Sequence, residues 1–283
     1  MAESYPPFIK LRTTVQGFKG SLPLIQELKH PAVQERHWKR IMDETGKDLG
    51  DINLKTITLA KVFDLELQNY QEKVQEICKE AKEELKNEDA IAKIDATWKA
   101  TNFDIAKYVK GTEHKGYVIK SPDEIRTLLE DNILQLQGVG ASKYARSIKG
   151  KVIQWEADLN LISDCIDAWM IVQRKWQYLE SIFASDDIRQ QLPEEAKKFQ
   201  KTDGNYRKIM DGTSKTLNVL QCCVKAEGGK RLDELKNISF ELDKCQKSLT
   251  NYLDSKKGVF PRFYFISDED LLQILGSADP KNI

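Results

Sequence analysis

Hydrophobic residues recur along most of this chain at alternating intervals of three and four, the period of a helix rather than a strand. The longest such pattern runs from Ile148 to Phe183. Ile148, Val152, Trp155, Leu159, Ile162, Ile166 and Trp169 form one heptad seam. Cys165, Trp169, Val172, Trp176, Leu179 and Phe183 form a second that shares Trp169 with the first. Together they predict one helix over about 147–183, roughly 54 Å long at 1.5 Å per residue. Two adjoining seams fit a helix packed against two neighbours rather than a two-stranded coiled coil. They also assign Trp155, Trp169 and Trp176 to a core.

Upstream, Tyr5-Pro6-Pro7 reads as an opening strand or loop, and Leu22-Pro23-Leu24-Ile25 opens a short helix that Pro31 interrupts. A second helix runs from about Ala32 through Trp38 and Ile41 to Gly46. Leu54–Trp98 contains no Gly or Pro, and Tyr70, Val74, Ile77, Ala81 and Leu85 mark one face of a long helix. Its remaining faces carry a mixed run of charge from Glu72 to Asp95, read as a solvated surface laced by pairs three and four residues apart.

The period then changes. Phe103, Ile105 and Val109 precede a Gly111–Gly116 loop and Tyr117-Val118-Ile119 follows it, which predicts a β-hairpin over about 103–119. Ser121-Pro122-Asp123-Glu124 reads as a helix start, with Ser at the N-cap, Pro at the first position and Glu closing a capping box. That helix fades at Gly138-Val139-Gly140. Pro193 starts another, striped by Ala196, Phe199, Asp203, Tyr206 and Met210. Gly228-Gly229 is a turn, and Leu232, Leu235, Leu242, Cys245, Leu249 and Leu253 stripe the next helix. Phe260–Ile266 reads as a strand, and Ser267 with Asp270 caps a last short helix that Gly276 closes. The expected fold is mainly α: an elongated arrangement of long helices in bundle-like subdomains, with a small β-hairpin and a short C-terminal strand. The expected division is 1–140, holding the hairpin, and 141–283, holding the long helix.

Composition agrees with that picture. Gly and Pro number only 15 and 8 in 283 residues, and 31% of the chain is charged, a bias towards exposed helices. Lys and Arg total 44, as do Asp and Glu, so the formal net charge is zero. A dedicated nucleic-acid surface needs a clustered basic excess, and no apolar run nears the roughly 18 residues of a membrane span. Neither nucleic acid nor membrane is expected as a partner. Five cysteines (Cys78, Cys165, Cys222, Cys223, Cys245) show no CxxC spacing, and read as reduced, structural thiols of an intracellular chain.

Catalytic motifs do not appear. The Gly-Lys pairs at Gly46, Gly150 and Gly229 lack the upstream Gly and following Ser/Thr of a phosphate-binding loop, and there is no GxSxG or HExxH. His30, His37 and His114 share no pattern. No catalytic, cofactor-binding or metal-binding residue is nominated.

The most specific wording lies in His37-Trp38-Lys39-Arg40-Ile41, Gln173–Phe183, Leu192-Pro193-Glu194-Glu195-Ala196-Lys197-Lys198-Phe199, and the tail. The tail reads Leu242-Asp243-Lys244-Cys245-Gln246-Lys247-Ser248-Leu249, Tyr252-Leu253, Phe260-Pro261-Arg262-Phe263-Tyr264-Phe265 and Asp270-Leu271-Leu272-Gln273-Ile274-Leu275. In this order and spacing, over roughly 20–283, these segments resemble the linker region of dynein heavy chains. Ser267 and the Cys-Gln-Lys-Ser run look axonemal rather than cytoplasmic.

The resemblance implies a non-catalytic lever that bends and straightens across a ring of six AAA+ modules to drive movement along microtubules. ATP and Mg would belong to that ring, beyond the end of this fragment. The partners implied are the AAA+ ring of the same heavy chain and other dynein subunits. The location implied is the cytoskeleton, in the axoneme of a cilium or flagellum. Gly138, Gly140 and Gly150 cluster between two helices and are the expected hinge, since Gly tolerates the backbone changes a hinge absorbs. The hairpin is expected to brace two helices. The alternative is a generic scaffold or tether, spectrin-like or coiled-coil-like, without motor activity. A spectrin-like array calls for an internal repeat near 100 residues, which the sequence lacks.

Overall fold

The computed structural model describes residues 6–47, 59–63, 66–226 and 229–275. It is mainly α, with one two-stranded antiparallel sheet. The helices are α1 (Pro6–Leu28), α2 (Glu35–Thr45), α3 (Leu59–Phe63), α4 (Gln71–Ala100), α5 (Asp123–Ala141), α6 (Lys149–Phe183), α7 (Asp186–Gln191), α8 (Pro193–Lys215), α9 (Arg231–Val259) and α10 (Asp268–Leu275). Strands β1 (Ile105–Lys110) and β2 (Glu113–Ile119) follow α4. The chain forms two compact units, residues 1–93 with 135–152 and residues 94–134 with 153–283.

In the first unit, Leu24 and Leu28 of α1, Trp38 and Ile41 of α2, and Val74, Ile77 and Ala81 of α4 share one core. Gly46 stops α2 in the left-handed conformation, φ 65°. The charged run on α4 is more than a solvated face. Glu80, Glu84 and Glu88 lie in a row four residues apart, and α2 runs antiparallel along it. Arg40 meets Glu80 at 2.5 Å, and Arg36 meets Glu84 at 2.6 Å and Glu88 at 3.0 Å. Lys73 bonds Glu44 at the other end of the ladder.

Several expectations change in this unit. The chain around Pro6-Pro7 is helical, because Pro fits the first turn of a helix, where its missing N–H is no loss. Pro23 sits inside α1 rather than at a start. The long third helix begins at Gln71 instead of Leu54, for Glu66 adopts φ 50° and a 3₁₀ turn over Leu67–Tyr70 follows it. A side chain in the left-handed region does not continue a right-handed helix. Residues 54–58 lie outside the described residues. α5 continues through both Gly138 and Gly140 to Ala141, since Gly lowers helix stability without forbidding a helix.

In the second unit, α6 runs for 35 residues, starting two residues after the predicted 147 and ending at the predicted Phe183. Its second seam is buried throughout, while in the first seam Trp155 is only half-buried. The hairpin closes at Gly111-Thr112, Gly111 taking φ 63°, so the expected loop at 113–116 is instead the start of β2. Ser121 accepts a hydrogen bond from the Asp123 N–H at 3.3 Å, placing the start of α5 at Asp123. The predicted strand at 260–266 is a 3₁₀ turn, Pro261–Phe265. Pro261 removes a ladder donor there, and Phe265, 91% exposed, has no sheet to lie on. Ser267 caps α10 as expected, accepting from the Asp270 N–H at 3.1 Å. Gly228 and Gly276 lie outside the described residues. No described helix is long and apolar enough to cross a membrane.

All five cysteines are free and buried. Burial pushes the Cys78 thiol up to about 11 and raises Cys222 and Cys245. Contact with Cys165, then burial, raises Cys223. Protonated, enclosed thiols are poor nucleophiles. The structure gives the vicinal pair a packing role.

His37 supplies a pH-dependent element of the first unit. Its Nδ1 accepts the Gln34 N–H at 3.0 Å, so the neutral ring donates from Nε2 to Glu84 at 3.2 Å. Burial lowers its pKa against the opposing pull of Glu84, with Arg36 and Arg40 adding to the lowering. As pH falls through the unfolded histidine value, about 6.5, the unfolded chain takes up a proton before the fold does, and stability drops. Urea unfolding should therefore show a lower midpoint at pH 5 than at pH 7.5. His37→Gln, which keeps a capping acceptor, should lessen that difference.

Candidate functional site

The hairpin is fastened to α6 and α8 by a buried polar cluster. Ile119 ends β2 with its backbone N–H and C=O turned away from β1. The Gln173 side-chain amide satisfies both: Oε1 accepts from Ile119 N at 2.8 Å, and Nε2 donates to Ile119 O at 2.8 Å. One side chain thus takes the place of a third strand. Tyr206 of α8 donates to the same Oε1 at 3.2 Å, and burial raises the Tyr206 pKa, so the hydroxyl stays protonated and keeps donating.

One turn along α6, Trp176 donates its indole N–H to Asp203 at 2.8 Å, and Arg207 bonds the same carboxylate oxygen at 2.8 Å. The rings of Tyr108 and Trp176 meet edge-on at 5.2 Å, and those of Trp176 and Tyr206 lie tilted by 34° at 4.7 Å. Glu180, 6% exposed, accepts from Tyr108 and Lys110 of β1, each at 3.4 Å. Burial and the Glu180 charge both raise the Tyr108 pKa. The expected bracing role of the hairpin has this geometry.

A second tie joins chain segments far apart in sequence. The Asn218 amide faces the carbonyls of Trp98, Lys99 and Thr101 at 3.1, 3.0 and 3.0 Å. It thereby caps the C-terminus of α4. The Phe103 N–H donates to Leu217 O at 2.8 Å, and the Val219 N–H to Thr101 O at 3.0 Å, a short bridge between Asn102 and Asn218. Phe103 in turn meets Trp169 at 5.5 Å, and Trp169 donates to the Met210 sulfur at 3.2 Å.

Beside the hairpin lies an open groove of about 720 Å³, lined by five cations and three carboxylates. Each cation already has an acidic partner. Lys110 meets Glu180 at 3.4 Å, Arg207 meets Asp203 at 2.8 Å, Arg189 meets Asp186 at 2.9 Å and Lys197 meets Glu194 at 3.3 Å, while Lys115 bonds Glu113. Its charge is spent internally. Among the described residues, no group of three or more His, Cys, Asp or Glu could hold a metal ion.

The glycines expected as a hinge lie within helices, Gly138 and Gly140 in α5 and Gly150 in the first turn of α6. Residues 142–148 between them form successive tight turns, with Ser142 N bonded to Val139 O, Ala145 N to Ser142 O and Ile148 N to Ala145 O. A Cβ at Gly138 or Gly150 would meet nothing within 4 Å.

Among the described residues, the long helices of the second unit are cross-tied by the buried Gln173 amide and the half-buried Asn218 amide. The family profile described as "Dynein heavy chain, N-terminal region 2" matches residues 1–283, and the chain belongs to that family. It is 47% identical over 279 residues, 98% of its length, to "Dynein-1-alpha heavy chain, flagellar inner arm I1 complex" of Chlamydomonas reinhardtii. It is 45% identical over 270 residues, 95% of its length, to "Dynein axonemal heavy chain 10" of Homo sapiens. The resemblance to an axonemal dynein heavy chain is borne out. The chain spans about 6% of the length of each of these curated relatives.

Replacing Gln173 with Leu would leave the Ile119 N–H and C=O buried and unpaired. Each such group costs about 1–3 kcal/mol. Chemical denaturation of Gln173→Leu should show a stability loss of about 2–6 kcal/mol, and hydrogen exchange should show faster exchange at Ile119.

Proposed function

We propose that this segment is part of the mechanical linker of an axonemal dynein, a lever that bends and straightens over the AAA+ ring of its own heavy chain. The observation that carries this reading is the cross-tying of α6. The seam residues of that helix are buried from Val152 to Phe183, Trp155 apart, and Gln173, Trp176 and Glu180 bind it to the hairpin and α8 along one face. A strut held in this way resists bending. In this reading ATP and Mg act in the ring, the partners are that ring and other dynein subunits, and the setting is the axoneme. The names of the relatives support that setting.

The bend is assigned to Gly138, Gly140 and Gly150. None of the three takes the positive φ that would require glycine, and neither Gly138 nor Gly150 is crowded. What glycine supplies at these positions is an easier departure from helical geometry, about 1 kcal/mol per residue relative to Ala.

Gly138→Ala combined with Gly150→Ala should raise the thermal stability of the segment. In the full-length motor it should slow microtubule gliding at least about twofold. Unchanged gliding, with the stability gain present, would remove the hinge from these glycines. The lever itself is tested by energy transfer between a dye on α6 and one on the ring. Transfer that stays constant through the ATP cycle would refute the lever.

A further inference from the structure

We infer that the outer face of α1 is a docking seam for an amphipathic helix whose flanks are acidic. Phe8, Leu11, Val15, Phe18 and Leu22 follow one another at three, four, three and four residues, the a/d spacing of a helix-to-helix seam. In a packed helix such a row is buried, yet here these side chains are 41–62% exposed. The seam lies apart from the buried face of α1. Ser21, Leu24 and Leu28, the residues of α1 that are buried, project on the far side of the helix axis from the seam at 100° per residue. Among the described residues, the Phe18 ring stacks on Phe63 at 4.5 Å.

The turns from Pro6 to Gly20 have little else to hold them. Every residue there is exposed except Gly17, which is half-buried. A helical stretch of this length is marginal in water without a packed face, so a partner on the seam would stabilise the helix that binds it.

Charge selects the kind of partner. α1 carries Lys10, Arg12 and Lys19 and no acid before Glu27. With Phe8, Val15 and Leu22 at a positions, Arg12 and Lys19 are seven residues apart at successive e positions, bordering the seam on one side. Residues at e and g choose the partner in paired helices, and two cations in this row favour Glu or Asp opposite. A second copy of α1 would bring cations against cations if antiparallel and against Thr14 and Ser21 if parallel, and would offer them no acid in either case. A membrane-lying helix sets its cations on a polar face opposite a broad apolar one, whereas these two border a narrow stripe.

The test uses the 283-residue chain and two labelled three-heptad peptides with Leu at a and d, one carrying Glu and the other Lys at e and g. The Glu peptide should bind at least about fivefold tighter by fluorescence anisotropy, and more weakly as salt rises. Val15→Asp, on an exposed position, should abolish binding. Arg12→Glu with Lys19→Glu should reverse the preference towards the Lys peptide. Equal binding of both peptides, binding of neither, or a preference unmoved by charge reversal would overturn the inference. So would self-association of the chain that Val15→Asp removes, or sedimentation with phosphatidylserine-containing vesicles that exceeds peptide binding.

Discussion

A two-stranded hairpin exposes unpaired backbone groups along both edges and is barely stable alone in water. In this protein the exposed edge at Ile119 is closed by a single glutamine on a helix. Gln173 has the donor and acceptor of a peptide group at the tip of a side chain, so it can complete a ladder that has no third strand. Much of the second unit is arranged around that pairing. Tyr206 is held where its hydroxyl reaches the same amide. Trp176, one turn from Gln173, packs between Tyr206 and Tyr108 and fixes the spacing of α6, α8 and β1. The polar contacts specify one register, and the aromatic contacts fill the space around it.

The first unit uses a different device. Its apolar core is modest, and α2 contributes mainly Trp38 and Ile41. The row of carboxylates on α4 faces the row of cations on α2, so antiparallel packing aligns Arg40, Arg36 and Lys73 with acids while a parallel arrangement would not. Partly exposed pairs of this kind each contribute about 0–1 kcal/mol. Their value lies in choosing direction and register among packings that bury similar apolar area.

Most helices were legible because their apolar periodicity is long. The seams of α6 place Trp169 and Trp176 in the core without reference to any neighbour, and Ser267 announces α10 by its cap. The cluster around Gln173 was not legible, since a glutamine on an apolar stripe does not reveal which backbone it will meet. A trace of it did exist: Asp203 stands in a stripe with Phe199, Tyr206 and Met210, and an acid in that position needs a donor, which Trp176 provides. Aromatic runs mislead for a related reason. Phe260–Ile266 has strand composition but no neighbouring strand to pair with, and Pro261 turns it into a tight helical turn. The acidic row on α4 was read as solvent-facing because its partners lie about 40 to 50 residues earlier.

Asn218 bears on how the chain can be made as well as on how it is held. The groups it joins are separated by up to 120 residues of sequence. At a ribosomal rate of about 5–20 residues per second, the end of α4 waits roughly 6–24 s for its cap to be synthesised. During that interval the carbonyls of Trp98, Lys99 and Thr101 must be served by water, and the Phe103 side chain lacks the indole it will cover. The nascent second unit therefore cannot close progressively from its N-terminal end. Its closure waits until α8 and the residues after it have emerged.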